Sequence, residues 1–190
     1  MSAWQTARSG RGVDAQTPRA AILGGMQLDV RSVSTDGDLE RFSHVLLEVA
    51  AWLQAKGQPM WMVDELAPET LLEHYDLQEM HLGLLTSGEP AAAMVVQQSD
   101  EFFWPDVPEG ESLFIHKLAA ARRLKGRGAA AAMLNWAKAE AQEQGKIYLR
   151  LDCAADRPKL CRFYEGYGFR RVGRRMVGRY EAAFYELPLR

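Results

Sequence analysis

Cysteine is almost missing from this 190-residue chain, which has only Cys153 and Cys161. Two thiols at that spacing make neither a disulfide framework nor a Cys-x-x-Cys metal set. They are expected as small buried thiols in a cytoplasmic protein, and no metal is expected. A strong net charge is missing as well. With 23 basic and 25 acidic residues the formal charge is -2, so nothing in the total points to nucleic acid or a membrane surface as a partner. No apolar run approaches the ~20 residues that span a bilayer. There is no internal repeat and no low-complexity block.

What is present is an ordinary globular composition, long enough for one well-buried core and short for two. Residues 1–25 depart from it. They are rich in Ser, Gly, Ala, Thr and Gln and show no periodic apolar face, so a disordered leader is expected there and a single domain over residues 26–190.

Polar and apolar residues alternate over Gln27–Val33, as in a first strand. Leu39, Phe42, Val45, Leu46, Val49, Trp52 and Leu53 then recur at helical spacing, with Asp36 or Asp38 able to cap the helix and Gly57 to stop it. Pro68 opens a shorter helix to about Tyr75. Met80–Leu85 and Ala91–Gln97 read as a hairpin around "TSGEP". After the acidic, aromatic loop "SDEFFWPDVPEGE" come the strand "SLFIHKL", a helix ending at Gly145, and an alternating strand over Ile147–Cys153. A helix capped by Asp156 and closed by "GYGF" follows, then two strands at about Phe169–Val177 and Tyr180–Leu187. This order describes an α/β protein with a mixed sheet.

Chemistry concentrates in "RRLKGRGAAAAML", Arg122–Leu134, which has two readings. Gly126, Gly128 and Ala131 fit a G-x-G-x-x-A dinucleotide turn, with Asp152 placed to meet a ribose, which would make an NAD(P)-dependent oxidoreductase. That turn should come directly off a strand, yet "ARRLK" intervenes. One register earlier, Arg123 to Gly128 fits [Q/R]-x-x-G-x-[G/A]. Its backbone N–H groups and the following helix N-terminus would converge on a pyrophosphate, with Arg123, Lys125 and Arg127 adding positive charge.

In the second register the chain resembles the GNAT superfamily of N-acetyltransferases, whose loop of this pattern binds acetyl-coenzyme A. "LFIHKL" resembles the family's strand before the loop, and "RFYEGYGF" its Y-x-x-x-G-F pattern at Tyr164, Gly168 and Phe169. The resemblance implies a mostly antiparallel mixed sheet flanked by helices, with a splayed strand pair holding the cofactor. It implies contacts to coenzyme A from Leu118, Ala120, Arg123, Leu124, Lys125, Gly126, Arg127, Gly128, Ala129 and Asp156. The chain departs from the family at Leu118-Ala119-Ala120, where a hydrophobic third residue is usual, and at Asp156, where asparagine is common. The resemblance further implies direct acetyl transfer in a ternary complex to the primary amine of a small molecule or peptide, with Tyr164 as general acid. A noncatalytic acyl-coenzyme A sensor is the alternative.

For the base, His116 and Glu111 are the candidates, with Glu109 nearby, although strand alternation separates Glu111 from His116 unless a bulge intervenes. Cys161 has no evident activating base near it in sequence. Trp61, Phe103, Trp104 and Asp106, with Phe102, are the candidate acceptor residues, since rings suit an apolar amine and acids attract its ammonium. "FRRVGRRMVGR" reads as a solvated strand face, and a homodimer is compatible with all of this.

Overall fold

The computed structural model describes residues 19–23, 26–178 and 180–189. Eight strands form one sheet: β1 (Arg19–Leu23), β2 (Met26–Ser32), β3 (Met80–Leu84), β4 (Pro90–Gln97), β5 (Ser112–Ala120), β6 (Tyr148–Ala154), β7 (Arg170–Val177) and β8 (Tyr180–Pro188). Their spatial order is β1-β2-β3-β4-β5-β6-β8-β7. Among the described strands only β5 and β6 run parallel. This is the mixed, mostly antiparallel sheet expected.

The first strand is a correction. Residues 19–23 were expected inside a disordered leader, yet they pair antiparallel with β2 from Arg19↔Val30 to Leu23↔Met26. The rest of that expected leader, residues 1–18 and 24–25, lies outside the described residues.

Four helices cover the sheet: α1 (Asp36–Ala55), α2 (Pro68–His74), α3 (Ala129–Glu143) and α4 (Pro158–Tyr167). The central strand β4 shows why two layers are needed. Ala92, Met94 and Val96 join the core under α3 and α4, while Ala93 and Val95 join the core under α1 and α2. A strand buried on both faces reads as a continuous apolar run, which "AAAMVV" is. The cap of α1 differs from expectation. Thr35, not Asp36 or Asp38, caps it by accepting the Asp38 N–H at 3.1 Å, and Asp38 is buried against Arg31 at 2.9 Å.

Two irregularities of β5 position the site. Between the pairs Val95↔His116 and Ala93↔Ala119 the register slips, so one β4 residue faces two of β5. Lys117 sits there at φ +52°, the left-handed region that a β-bulge residue can occupy. The bulge reverses the side-chain alternation: Ile115 packs under α3 and α4, whereas Ala119, four residues on, packs under α1 and α2. Beyond it β5 also parts from β6. The two strands pair only from Ser112↔Tyr148 to Ile115↔Leu151, although β5 runs on to Ala120 and β6 to Ala154. A wedge therefore opens between their C-terminal ends.

Candidate active site

The loop at the mouth of the wedge begins as one 3-10 turn, Arg122–Leu124, pinned by buried Leu124. Gly126 (φ +75°) and Gly128 (φ +85°) then turn the chain into α3 through left-handed conformations that a side chain would strain. Gly128 is the N-cap of α3, so the first N–H groups of the helix lack intrahelical acceptors and carry its positive dipole end. Lys125 and Arg127 are exposed beside them. Arg123 is engaged elsewhere: its guanidinium donates to the Pro90 carbonyl at 2.8 Å and lies 3.8 Å from Glu89, which ties the loop to the β3–β4 hairpin. Arg122 is a second anchor that the sequence did not single out. Its N–H donates to Glu48 at 3.0 Å and its guanidinium stacks 3.6 Å from the Trp52 ring. Leu118 and Ala120 lie on the wedge edge of β5 and pack against the core under α3 and α4.

Asp156 does not cap α4. The N-cap is Arg157, which makes no side-chain cap, and the Asp156 side chain is 77% exposed beside Arg157 at 3.4 Å. Gly168 closes the helix as expected, at φ +117° with its N–H on the Tyr164 carbonyl at 3.2 Å.

Tyr164 is buried on α4, its ring packed against Phe163, Phe169 and Tyr185 at centroid distances of 5.3, 5.9 and 6.0 Å. Burial, with the Cys153 thiol and the Asp152 carboxylate nearby, pushes its phenol pKa well above the usual 10. Such a phenol stays protonated at neutral pH and so can act as a hydrogen-bond and proton donor. Cys153 and Cys161 are free, buried thiols 3.9 Å apart in the same core, as expected.

Across the sheet from Tyr164 lies a group that sequence reasoning did not assemble. His116 Nε2 approaches Asp100 Oδ2 at 3.4 Å, and one ligand atom each from Asp100, His116 and Asp152 fall within 4.8 Å of one another. Asp100 Oδ1 accepts the Phe103 N–H at 2.9 Å, and Asp152 accepts from the Tyr180 hydroxyl at 3.1 Å. Burial lowers the His116 pKa against the opposing pull of Asp100, while burial raises Asp152 to about 6. Burial also lowers Lys117, whose ammonium lies 5.7 Å from the Trp61 ring centre.

The other candidates separate. Phe103 reaches the cluster, its ring 6.2 Å from that of His116. Trp104 anchors the loop, packed on Phe114 at 6.2 Å and edge-on to Phe184 at 5.1 Å. Exposed Asp106 borders a shallow hollow with Arg174 and Arg175 on the β7–β8 side of that loop. No bulge lies between Phe114 and His116, so Glu111 does not join His116. Its carboxylate instead binds buried Arg150 at 2.8 Å, which also holds Glu186 at 2.8 Å and Ser112. The "RRVGRRMV" strand is mostly solvated, with Arg171 on Glu165 and Arg174 on Glu181.

A wedge with a glycine loop at its mouth, a proton-holding phenol on one face and an imidazole on the other invites comparison with known acyl-transfer folds. Residues 46–169 match the Acetyltransferase (GNAT) family. The chain belongs to this family.

It is 30% identical over 148 residues to the uncharacterized N-acetyltransferase YesJ of Bacillus subtilis, covering 72% of this chain and 78% of that protein. The fold matches a GNAT-family acetyltransferase from Listeria monocytogenes with TM-score 0.70 and 20% identity, over 90% of this chain and all of that one. It also matches the ribosomal-protein-S18-alanine N-acetyltransferase of Escherichia coli with TM-score 0.62 and 18% identity, over 85% and 94% of the two chains. The GNAT protein described here is therefore an acyltransferase, and its family generally uses acetyl-coenzyme A. The dinucleotide reading falls with this result. Its turn serves a doubly wound parallel sheet, whereas this sheet has one parallel pair, and Asp152 faces His116 instead of a ribose. No described helix is long and apolar enough to cross a membrane.

Proposed function

We propose that this GNAT enzyme transfers an acetyl group from acetyl-coenzyme A directly to the primary amine of a small molecule or peptide, both substrates being bound together. The observation that carries the reading is the wedge between β5 and β6, with the Gly126–Gly128 loop at its mouth and Tyr164 and His116 on its two faces. The left-handed glycines and the α3 N-terminus suit a pyrophosphate, because nothing occupies the space where a Gly126 Cβ would stand. Lys125 and Arg127 add charge at that end. Main-chain groups of residues 116–120, left without β6 partners, suit the amide-bearing arm and the thioester oxygen, as an unpaired edge accepts an added strand.

Within this arrangement His116 takes the proton of the amine and Tyr164 gives one to the departing thiolate. Arranging both partners before reaction supplies much of the rate gain by proximity. No covalent acyl-enzyme is required, and Cys161 keeps a structural role. Glu111, committed to Arg150, drops out as base. Thiol release from acetyl-coenzyme A across a panel of primary amines tests the reading. Amine-dependent release is expected; tight acetyl-coenzyme A binding with no release by any amine would replace the enzyme with a sensor.

A further inference from the structure

Buried polar groups in folded proteins are almost always hydrogen-bonded, so the exceptions carry information. Here the Asp100 side chain is only 6% exposed, yet its Oδ2 has no hydrogen-bond partner, and neither does His116 Nε2. These two atoms face each other at 3.4 Å without the alignment of a hydrogen bond. Asp152 approaches from β6, within 4.8 Å of both. Two carboxylates and an imidazole thus aim acceptor atoms at one small, largely buried volume beside the wedge.

We propose that Asp100 and Asp152 bind the acceptor amine as its ammonium cation, and that His116 Nε2 then receives its proton. The proposal rests on the acetyl-transfer reading above and names the state in which the acceptor arrives. An ammonium making N–H···O contacts of ~2.8 Å fits between acceptor atoms that lie within 4.8 Å of one another, and zinc, with ligand bonds of ~2.1 Å, is the competing occupant that the test below separates. The Phe103 ring beside His116 and the Tyr180 hydroxyl on Asp152 form a wall suited to a primary ammonium on an aryl or alkyl stem. In the proton step one ammonium N–H bond breaks, its electron pair stays on nitrogen, and an Nε2–H bond forms. The nitrogen is then a neutral nucleophile, and the imidazolium returns its proton to solvent.

Every group facing His116 bears on that step. Asp100 from the loop raises the proton affinity of His116, and Lys117 on β5 lowers it. Asp152 on β6 feels Asp100 and, in the other direction, Tyr180 on β8 and Arg175 on β7. Tyr75, at the end of α2, feels both Asp100 and Asp152, and burial and these charges push its phenol up to about 12, so it stays neutral. With Tyr75 and Tyr180 uncharged, the carboxylates set the negative potential that selects a cation.

The test uses the full chain with labelled histidines and follows the His116 ring by NMR at neutral pH. Benzylammonium should shift the resonance saturably, and benzyl alcohol, equal in shape and uncharged, should not. Asp100→Asn and Asp152→Asn should each weaken the effect roughly ten-fold or more. If either variant fails to fold, the wild-type contrast between the two probes still decides. An absent benzylammonium response, an equal response to benzyl alcohol, or a saturable response to zinc alone would overturn the proposal. Calorimetry with acetyl-coenzyme A on the same samples separates the two readings. Binding retained without an ammonium response sinks only the compartment, and loss of acetyl-coenzyme A binding sinks the transfer reading and the compartment with it.

Discussion

From Arg122 to Ala129 the proposed cofactor end of the site is one unbroken stretch held by main-chain geometry, two left-handed glycines and a helix start. The proposed amine end is made of side chains from a loop and two strands, Asp100, His116 and Asp152, which meet only in the folded sheet. The first kind of site tolerates changes of side-chain chemistry but not of backbone conformation. The second is the reverse, because each carboxylate or imidazole is irreplaceable while the strands beneath it would accept many sequences.

Substitutions can break this contrast at either end. The largest effect is expected at the loop: Gly126→Asp or Gly128→Asp should cut acetyl-coenzyme A affinity by about three orders of magnitude by calorimetry, from a strained φ and a carboxylate facing phosphate. Unchanged affinity would remove the loop from the site. Next, Tyr164→Phe should lower kcat by roughly 100-fold while acetyl-coenzyme A affinity, measured separately, holds.

At the amine end, Asp100→Asn should lower kcat/KM and move its acid limb to lower pH. Burial already holds His116 below its usual 6.5, and removing the Asp100 charge takes away the main influence pulling it back up. A limb that stays in place would separate Asp100 from the base. Glu111→Gln sharpens the distinction between candidate bases, since it should cost stability through Arg150 and leave the pH profile unmoved. A thermal melt and a pH–rate curve check both halves.

The effect farthest from the site is expected in the pH dependence of stability. His81, buried against Trp136 at 4.4 Å, has its pKa lowered to about 4 by burial. The unfolded chain therefore binds more protons between pH 6.5 and 4, so stability is full above 6.5 and falls as pH drops through that window, by roughly 3 kcal/mol at most. His116 acts in the same direction. Asp152, raised to about 6, opposes them, since its folded form gains a proton first. Melting temperature against pH should become shallower in His81→Gln and steeper in Asp152→Asn.

The contrast also explains which parts were legible. Gly126 and Gly128 announce themselves because a left-handed turn into a helix is a local requirement that few residues meet. Tyr164 follows from its spacing to Gly168, the helix stop. Caps were less readable: Thr35, Asp36 and Asp38 are all competent, and the choice falls to the first-turn register. Residues 19–23 lack periodicity and so resembled a leader, although Gly24-Gly25 after them is a two-residue hairpin signal. Glu111 was a candidate base because it sits just before the strand that bears His116, and Arg150, which claims it, lies on the next strand over.

By itself, then, the sequence determined the class of the fold, the left-handed glycine turn into α3 and the helix that carries Tyr164 and stops at Gly168. Each of these depends on residues close together along the chain, where backbone sterics and helix periodicity act. Only the tertiary structure decided the rest. The bulge at Lys117 reversed the faces of β5, the parting of β5 from β6 opened the wedge, and the fold of the 98–111 loop carried Asp100 to His116 opposite Asp152. Those outcomes turn on register and on contacts between distant segments, which no local spacing encodes.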